Sequence, residues 1–177
     1  TPYARTSDMR FLMHFLPGAP TEENGQDSLG VQSAVYHHAG NSRLTAGVDG
    51  EVVDGWLKQF QNNPTQGSAF LRETIPVGDH YDYSVAAIQL APFVQWDHQL
   101  AANWDLSLGA RYEWMQYDYD NRMLDGRTRD TGIPCGLGGC RYSRPADSTD
   151  NFTNISPKLS LGYNLAEDQR LYLTLAR

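Results

Sequence analysis

Trp104-Asp-Leu-Ser-Leu-Gly-Ala-Arg-Tyr-Glu-Trp114 is the stretch from which the fold can be read. Alternate residues sort into Trp104, Leu106, Leu108, Ala110, Tyr112 and Trp114 on one side and Asp105, Ser107, Gly109, Arg111 and Glu113 on the other. Period two is the spacing of a β-strand, and the sorting leaves one face without charge and the other almost without apolar side chains. Ten steps of ~3.4 Å along a strand tilted by ~45° rise roughly 24 Å, close to the height of the apolar band of a membrane β-barrel with aromatic girdles at its edges. A soluble sandwich strand also alternates, but it is usually shorter and has no reason to place Trp at both ends of its apolar face.

Working outward, Ile88, Leu90, Pro92, Val94 and Trp96 alternate with Gln89, Ala91, Phe93 and Gln95, and Ile155, Pro157, Leu159, Leu161 and Tyr163 alternate with Ser156, Lys158, Ser160 and Gly162. Leu44, Ala46, Val48 and Val52 form a similar series, as do Leu171, Leu173 and Leu175; Leu29 to His37 and Met9 to Leu16 are weaker examples. Seven strands are expected. Trp96, Trp104, Tyr112, Trp114 and Tyr163 are the candidate membrane girdle; Arg111, Glu113, Gln95 and Lys158 are the candidate lumen-facing residues.

Linkers near 38–42, 97–102 and 164–169 are short, and those near 17–27, 53–80 and 118–151 are longer, in strict alternation. Membrane barrels of the outer-membrane type have short periplasmic turns and long extracellular loops, so the long linkers are assigned outside the cell. The expected fold is an all-β, antiparallel, up-and-down segment of a transmembrane β-barrel. Seven strands with two open edges and an apolar face do not make a complete barrel. The chain starts Thr1-Pro2-Tyr3 without an initiator Met and ends at Ala176-Arg177 within an apolar alternation, so residues 1–177 are expected to be part of a larger barrel domain.

Composition narrows the function classes. No apolar run reaches the roughly 18 residues of a transmembrane helix, and no signal peptide is present. A negative mean hydropathy does not exclude a barrel, whose strands average lipid-facing with lumen-facing residues. The formal net charge of -7 argues against nucleic acid as a partner, because no basic stripe is available to displace counterions. Cys135 and Cys140 are the only cysteines, so a local disulfide is the simplest pairing, and it implies an oxidising compartment.

Several stretches resemble TonB-dependent outer-membrane receptors. Tyr81-Asp-Tyr-Ser-Val85, Ala91-Pro-Phe-Val-Gln-Trp96 and Leu106-Ser-Leu-Gly-Ala-Arg-Tyr112 look like that family's paired "Y-x-Q" and "L-x-x-G-x-R-Y" strands. Ile155-Ser-Pro-Lys-Leu-Ser-Leu-Gly-Tyr163 looks like its "S-P-K" strand, and Leu171-Tyr-Leu-Thr-Leu-Ala-Arg177 resembles the strand that leads to a Gly-Phe-Arg-Pro segment. The resemblance implies a barrel of about 22 strands closed by an N-terminal plug. It also implies energy coupling to the TonB complex and uptake of a scarce ligand, foremost a ferric siderophore or other metal chelate, across the outer membrane of a Gram-negative cell. Neither plug nor TonB-binding segment lies within residues 1–177. A passive porin and a soluble or extracellular all-β adhesin are the alternatives.

The candidate ligand-binding residues are Trp56, Phe60, Phe70, Arg72, Arg141 and Tyr142, all on expected extracellular loops. Amphipathic aromatics with Arg suit an organic ligand, while packing of loop against loop is the competing reading. The segment Cys135-Gly-Leu-Gly-Gly-Cys140 reads as a loop-tip staple, with ligand capture as the sharper alternative. Two thiolates without further Cys or His do not complete a zinc site. Asp118 to Gly126 lacks the alternation and terminal Glu of a calcium loop, and reads as a solvated loop. His37 and His38 read as turn residues that point to opposite faces. There is no Gly-x-Ser-x-Gly elbow, His-Glu-x-x-His pair or phosphate-binding Gly loop, so no enzyme, cofactor or metal site is expected.

Overall fold

A computed structural model describes residues 1–166 and 168–177. The strands are β1 (Pro2–Leu12), β2 (Thr21–Ala39), β3 (Ser42–Gln61), β4 (Gly78–Ala101), β5 (Trp104–Asn121), β6 (Ser148–Ala166) and β7 (Gln169–Ala176); a short helix, α1 (Ala69–Thr74), lies between β3 and β4. All seven strands form one sheet in chain order, each antiparallel to the next.

Directly opposed residues of an antiparallel pair share a face, so the register tests the alternation across strands. One row reads Leu44, Trp96, Leu108, Leu159, Leu175, and the next reads Val35, Ala46, Val94, Ala110, Pro157. The complementary row reads Gly47, Phe93, Arg111, Ser156. The apolar rows have no protein cover: Val35 is 72% exposed and Leu159 is 40% exposed. Among the described residues, the buried apolar side chains are Ala91 of the sheet, Pro20 and Pro76 at the loop ends, and a small group in the loops, Ile75, Cys135, Cys140 and Tyr142. A sheet of this size with one wholly uncovered apolar face has its complement in lipid, not water. No helix is long and apolar enough to cross a membrane, which says nothing of crossing by strands.

The strands are longer than the apolar alternation predicts. β4 has 24 residues and β5 has 18, and at ~3.4 Å per residue and ~45° tilt the latter rises roughly 40 Å, well beyond the apolar band. The long linkers are accordingly shorter than expected, spanning 13–20, 62–77 and 122–147. Above the band both faces can be polar, so the hydropathy alternation fades while backbone pairing continues. The expected strand Met9–Leu16 is also corrected. β1 runs from Pro2 to Leu12, and residues 13–20 turn back through bonds from Met13 N to Pro20 O (2.9 Å) and from Ala19 N to Leu16 O (3.0 Å). Gly18 at φ 86° supplies the left-handed step there. The apparent alternation of Met13 to Leu16 is a turn that happens to be apolar.

The three short connections lie at one end of the sheet and the three long ones at the other, in the order expected. The Gly40-Asn41 turn joins β2 to β3; beside it His37 and His38 close the end of β2, opposite Leu44 and Arg43 on different faces. They are strand residues, not turn residues.

Candidate functional site

The polar face carries a ladder of ion pairs. Arg111 Nη1 lies 2.6 Å from Asp49 Oδ2 and its Nε 3.0 Å from Glu113 Oε1, and its guanidinium carbon sits 6.0 Å from the centroid of Phe93. Phe93 in turn lies over Gly47, where a Cβ would strike the ring. Nearer the short turns, Gln95 Nε2 donates to Asp97 Oδ1 (2.9 Å), Arg43 pairs with Asp97 (3.0 Å) and Arg170 with Asp105 (3.1 Å). Arg5 pairs with Glu51 across β1–β3. Lys158 stands on the same face opposite Gly109, exposed and without a carboxylate partner among the described residues. Arg111, Glu113, Gln95 and Lys158 therefore share one face. These pairs are half exposed and contribute little stability each; they define a charged, wettable wall.

On the apolar face Trp104 and Tyr163 are opposed, with ring centroids 4.6 Å apart. Trp96 stacks on His98 at 5.1 Å and lies opposite Leu108, four positions inside Trp104 along β5. Tyr112 and Trp114 lie toward the long-loop end of this face.

The long loops do not stand apart. Arg141 N donates to Thr74 O (2.9 Å), the Arg141 guanidinium lies 5.7 Å from the Phe70 ring centroid, and Asp79 N donates to Asp130 Oδ2 (3.3 Å). These contacts join the β3–β4 loop to the β5–β6 loop. Arg144, only 2% exposed, ties the β5–β6 loop together and anchors it to the start of β4. Its Nε donates to Leu124 O (2.6 Å), its Nη1 to His80 O (3.2 Å) and its Nη2 to Thr128 O (2.7 Å), and its guanidinium sits 5.4 Å from the Tyr142 ring centroid. A buried guanidinium is tolerable only with its donors satisfied, and here backbone carbonyls do so.

Cys135 and Cys140 form a disulfide, with Cα atoms 4.9 Å apart. Both are buried with Tyr142, and Tyr81 packs against the group. The cysteines are thus part of the loops' own core and not an exposed tip. Tyr142 stacks on His80 at 4.4 Å, and burial pushes its phenol above the ordinary tyrosine range while the Arg144 charge pulls it down.

The six candidate binding residues are not brought together. Trp56 and Phe60 lie in β3, not in a loop: Trp56 faces outward opposite Gly25 and Ser84, and Phe60 sits opposite Thr21 and Asp79 at a bulge. Phe70 and Arg72 are on α1, whose N-cap Ser68 accepts from Leu71 N (3.3 Å); Arg72 donates to Gly67 O (3.0 Å). Phe70 meets Arg141, whereas Tyr142 is 8% exposed and closed to a ligand. In the 118–126 segment, Asp118 and Asp120 belong to β5 and Asn121 Nδ2 bonds Asp125 Oδ1 (2.9 Å). No group of three or more metal-ligating side chains occurs among the described residues.

Sequence reading missed a band of aromatics on the polar face above the ion pairs. Tyr83 and Tyr119 lie 5.0 Å apart, and Tyr117 meets Phe152 edge-on at 6.0 Å. The repeated Tyr81-Asp-Tyr83 and Tyr117-Asp-Tyr119 spacing was the available signal.

An antiparallel meander with one lipid-compatible face, one charged face and its long loops at a single end is a segment of a transmembrane β-barrel. The chain belongs to the TonB-dependent receptor family: the family model "TonB dependent receptor-like, beta-barrel" matches residues 3–177. Among solved structures it is similar to the ferric-catecholate import receptor Fiu of E. coli K12 in its open form, with TM-score 0.58, 13% identity, and coverage of 99% of this chain and 30% of that one. The ferric yersiniabactin uptake receptor FyuA of Yersinia pestis matches with TM-score 0.52, 17% identity and coverage of 88% and 21%. The closed form of Fiu matches with TM-score 0.51, 13% identity and coverage of 99% and 28%. The chain spans less than a third of the length of these receptors. No curated protein matches it significantly.

Proposed function

We propose that this chain is part of the wall of a receptor that imports a scarce ligand, foremost a ferric siderophore or other metal chelate, across the outer membrane of a Gram-negative bacterium. The observation that carries the reading is the segregation of the sheet: an uncovered apolar face with aromatic edges, backed by a face of arginines and carboxylates. The first face suits outer-membrane lipid. The second suits a water-filled lumen in which Arg111, Glu113, Gln95 and Lys158 meet a plug or a passing solute. The joined loops form the extracellular mouth, and the remaining strands, plug and TonB-binding segment are supplied elsewhere in the receptor. The similarity to Fiu, a ferric-catecholate import receptor, and FyuA, a ferric yersiniabactin uptake receptor, gives the ligand class its support.

The test is uptake of radioactive iron chelates by iron-limited cells, with and without the receptor gene and with and without TonB. The reading expects uptake of at least one chelate to need both. A receptor-dependent flux that persists without TonB and does not saturate would make the protein a porin.

A further inference from the structure

We propose that His80 is an acid-operated latch: with a neutral ring it holds the two longest loops to the start of β4, and on protonation it releases them and opens the extracellular mouth. The import reading places this mouth outside the cell, and the latch adds its regulation.

His80 is the third residue of β4. Ile88, where the apolar alternation of that strand begins, is eight residues further on, roughly 19 Å lower for a ~45° tilt. The ring therefore lies outside the membrane, yet His80 is only 2% exposed, and this chain's own residues bury it.

Both loops converge on this residue. Its Nε2 lies 2.8 Å from Pro76 O; a carbonyl only accepts, so Nε2 carries the proton of the neutral ring. The ring stacks on Tyr142 with centroids 4.4 Å apart, and the His80 carbonyl accepts from Arg144 Nη1 (3.2 Å). Pro76 belongs to the 62–77 loop, and Tyr142 and Arg144 belong to the 122–147 loop.

A second proton on the imidazole changes the charge of a closed space. Buried Arg144 already sits 5.4 Å from the centroid of the same Tyr142 ring. Around His80, β4 contributes Asp79 and Tyr81, and β3 contributes Lys58, which pairs with Asp79 (3.1 Å). The 62–77 loop contributes the Pro76 carbonyl, and the 122–147 loop contributes Asp130, Tyr142 and Arg144. Burial is the largest influence and holds the imidazole below its ordinary range against the Pro76 carbonyl; Arg144 deepens the depression, and Asp79 and Asp130 offset part of it. A protonated His80 beside Arg144 is a pair of like charges with little water to screen them, and parting the loops hydrates both. The closed loops bind this proton more weakly than the open ones. Closure is therefore fully favoured above the ordinary imidazole value of about 6.5 and weakens as pH falls below it toward the depressed value.

The test compares hydrogen exchange over 62–77 and 122–147 in the intact receptor in lipid vesicles, at about pH 7.5 and about pH 5, with exposure times scaled to equal intrinsic exchange. The latch expects the opened fraction of both loops to rise by about tenfold in acid, while residues 104–114 of β5 keep their protection. His80→Gln retains an N–H for Pro76 and has no proton to gain, so its loops are expected to stay closed at both. Equal protection at the two pH values in the unaltered receptor, loss of protection in only one loop, or acid opening of the same size in His80→Gln overturns the latch. If His80→Gln is open at every pH, the midpoint in the unaltered receptor decides: it must lie below about 6.5 and above the ordinary carboxylate value of about 4, and a midpoint outside that window overturns the latch. No chelate enters this measurement, so a failed latch leaves the import reading standing, and a receptor that imports nothing can still carry the latch.

Discussion

Along β5 from Trp104 to Trp114, every second side chain is apolar, and Trp104, Leu108 and Tyr112 among them are exposed. Between 122 and 147, by contrast, the chain has no periodicity, and its order comes from a few buried groups: Arg144, the Cys135–Cys140 disulfide and Tyr142. The band is held by backbone pairing repeated across seven strands and by lipid outside it, so each side chain matters through its compatibility with its surroundings. The loop module has little apolar core, and single contacts there carry much of its order. Damage should therefore be local in the module and global in the band.

Arg144→Ala should have the largest effect. It leaves carbonyls of Leu124, His80 and Thr128 without their charged donor, a loss of about 4 kcal/mol in the module. Hydrogen exchange over 122–147 should rise sharply while the heat-resistant mobility of the folded barrel is kept; loss of that mobility too would erase the distinction between the regions. Leu108→Arg, in the middle of the apolar face, should cost about 3 kcal/mol of barrel stability in lipid vesicles, and denaturant titration would show it as a lower midpoint. An unchanged midpoint would mean that this face does not meet lipid. Removing the disulfide as Cys135→Ser with Cys140→Ser should cost about 2 kcal/mol, visible as proteolysis confined to the β5–β6 loop. Asp49→Asn should be mildest, under about 1 kcal/mol, since Arg111 keeps Glu113 and the pair is half exposed. A large loss there would show that the ladder is a stability element and not merely a wettable lining.

The same contrast explains what could be read from the sequence. Strand number, order, face and the side carrying the long loops follow from alternation and linker length, because a barrel strand must change environment every residue. Strand ends did not follow: above the band Trp56 and Phe60 no longer alternate against a uniform solvent, so they resemble loop residues while remaining paired in β3. Arg144 was invisible for a different reason. A buried arginine bonded to carbonyls has no partner residue type to search for, and its role exists only once the β5–β6 loop folds back on itself and onto His80 of β4. The tyrosine band was partly legible, since its two Tyr-Asp-Tyr repeats already placed aromatics on the face that Arg111 marks as polar.

The most direct measurement is cysteine labelling of the receptor in living cells with a membrane-impermeant maleimide. Within residues 1–177 both cysteines are bonded to each other, so this segment adds no free thiol, and the receptor without an introduced cysteine sets the background. Ile133→Cys lies in the β5–β6 loop and Asn41→Cys in the β2–β3 turn, at opposite ends of the sheet. The account requires Ile133→Cys to label on intact cells and Asn41→Cys to label only after the outer membrane is permeabilised. Equal labelling of both on intact cells would contradict a membrane-spanning sheet, and the reverse pattern would invert it.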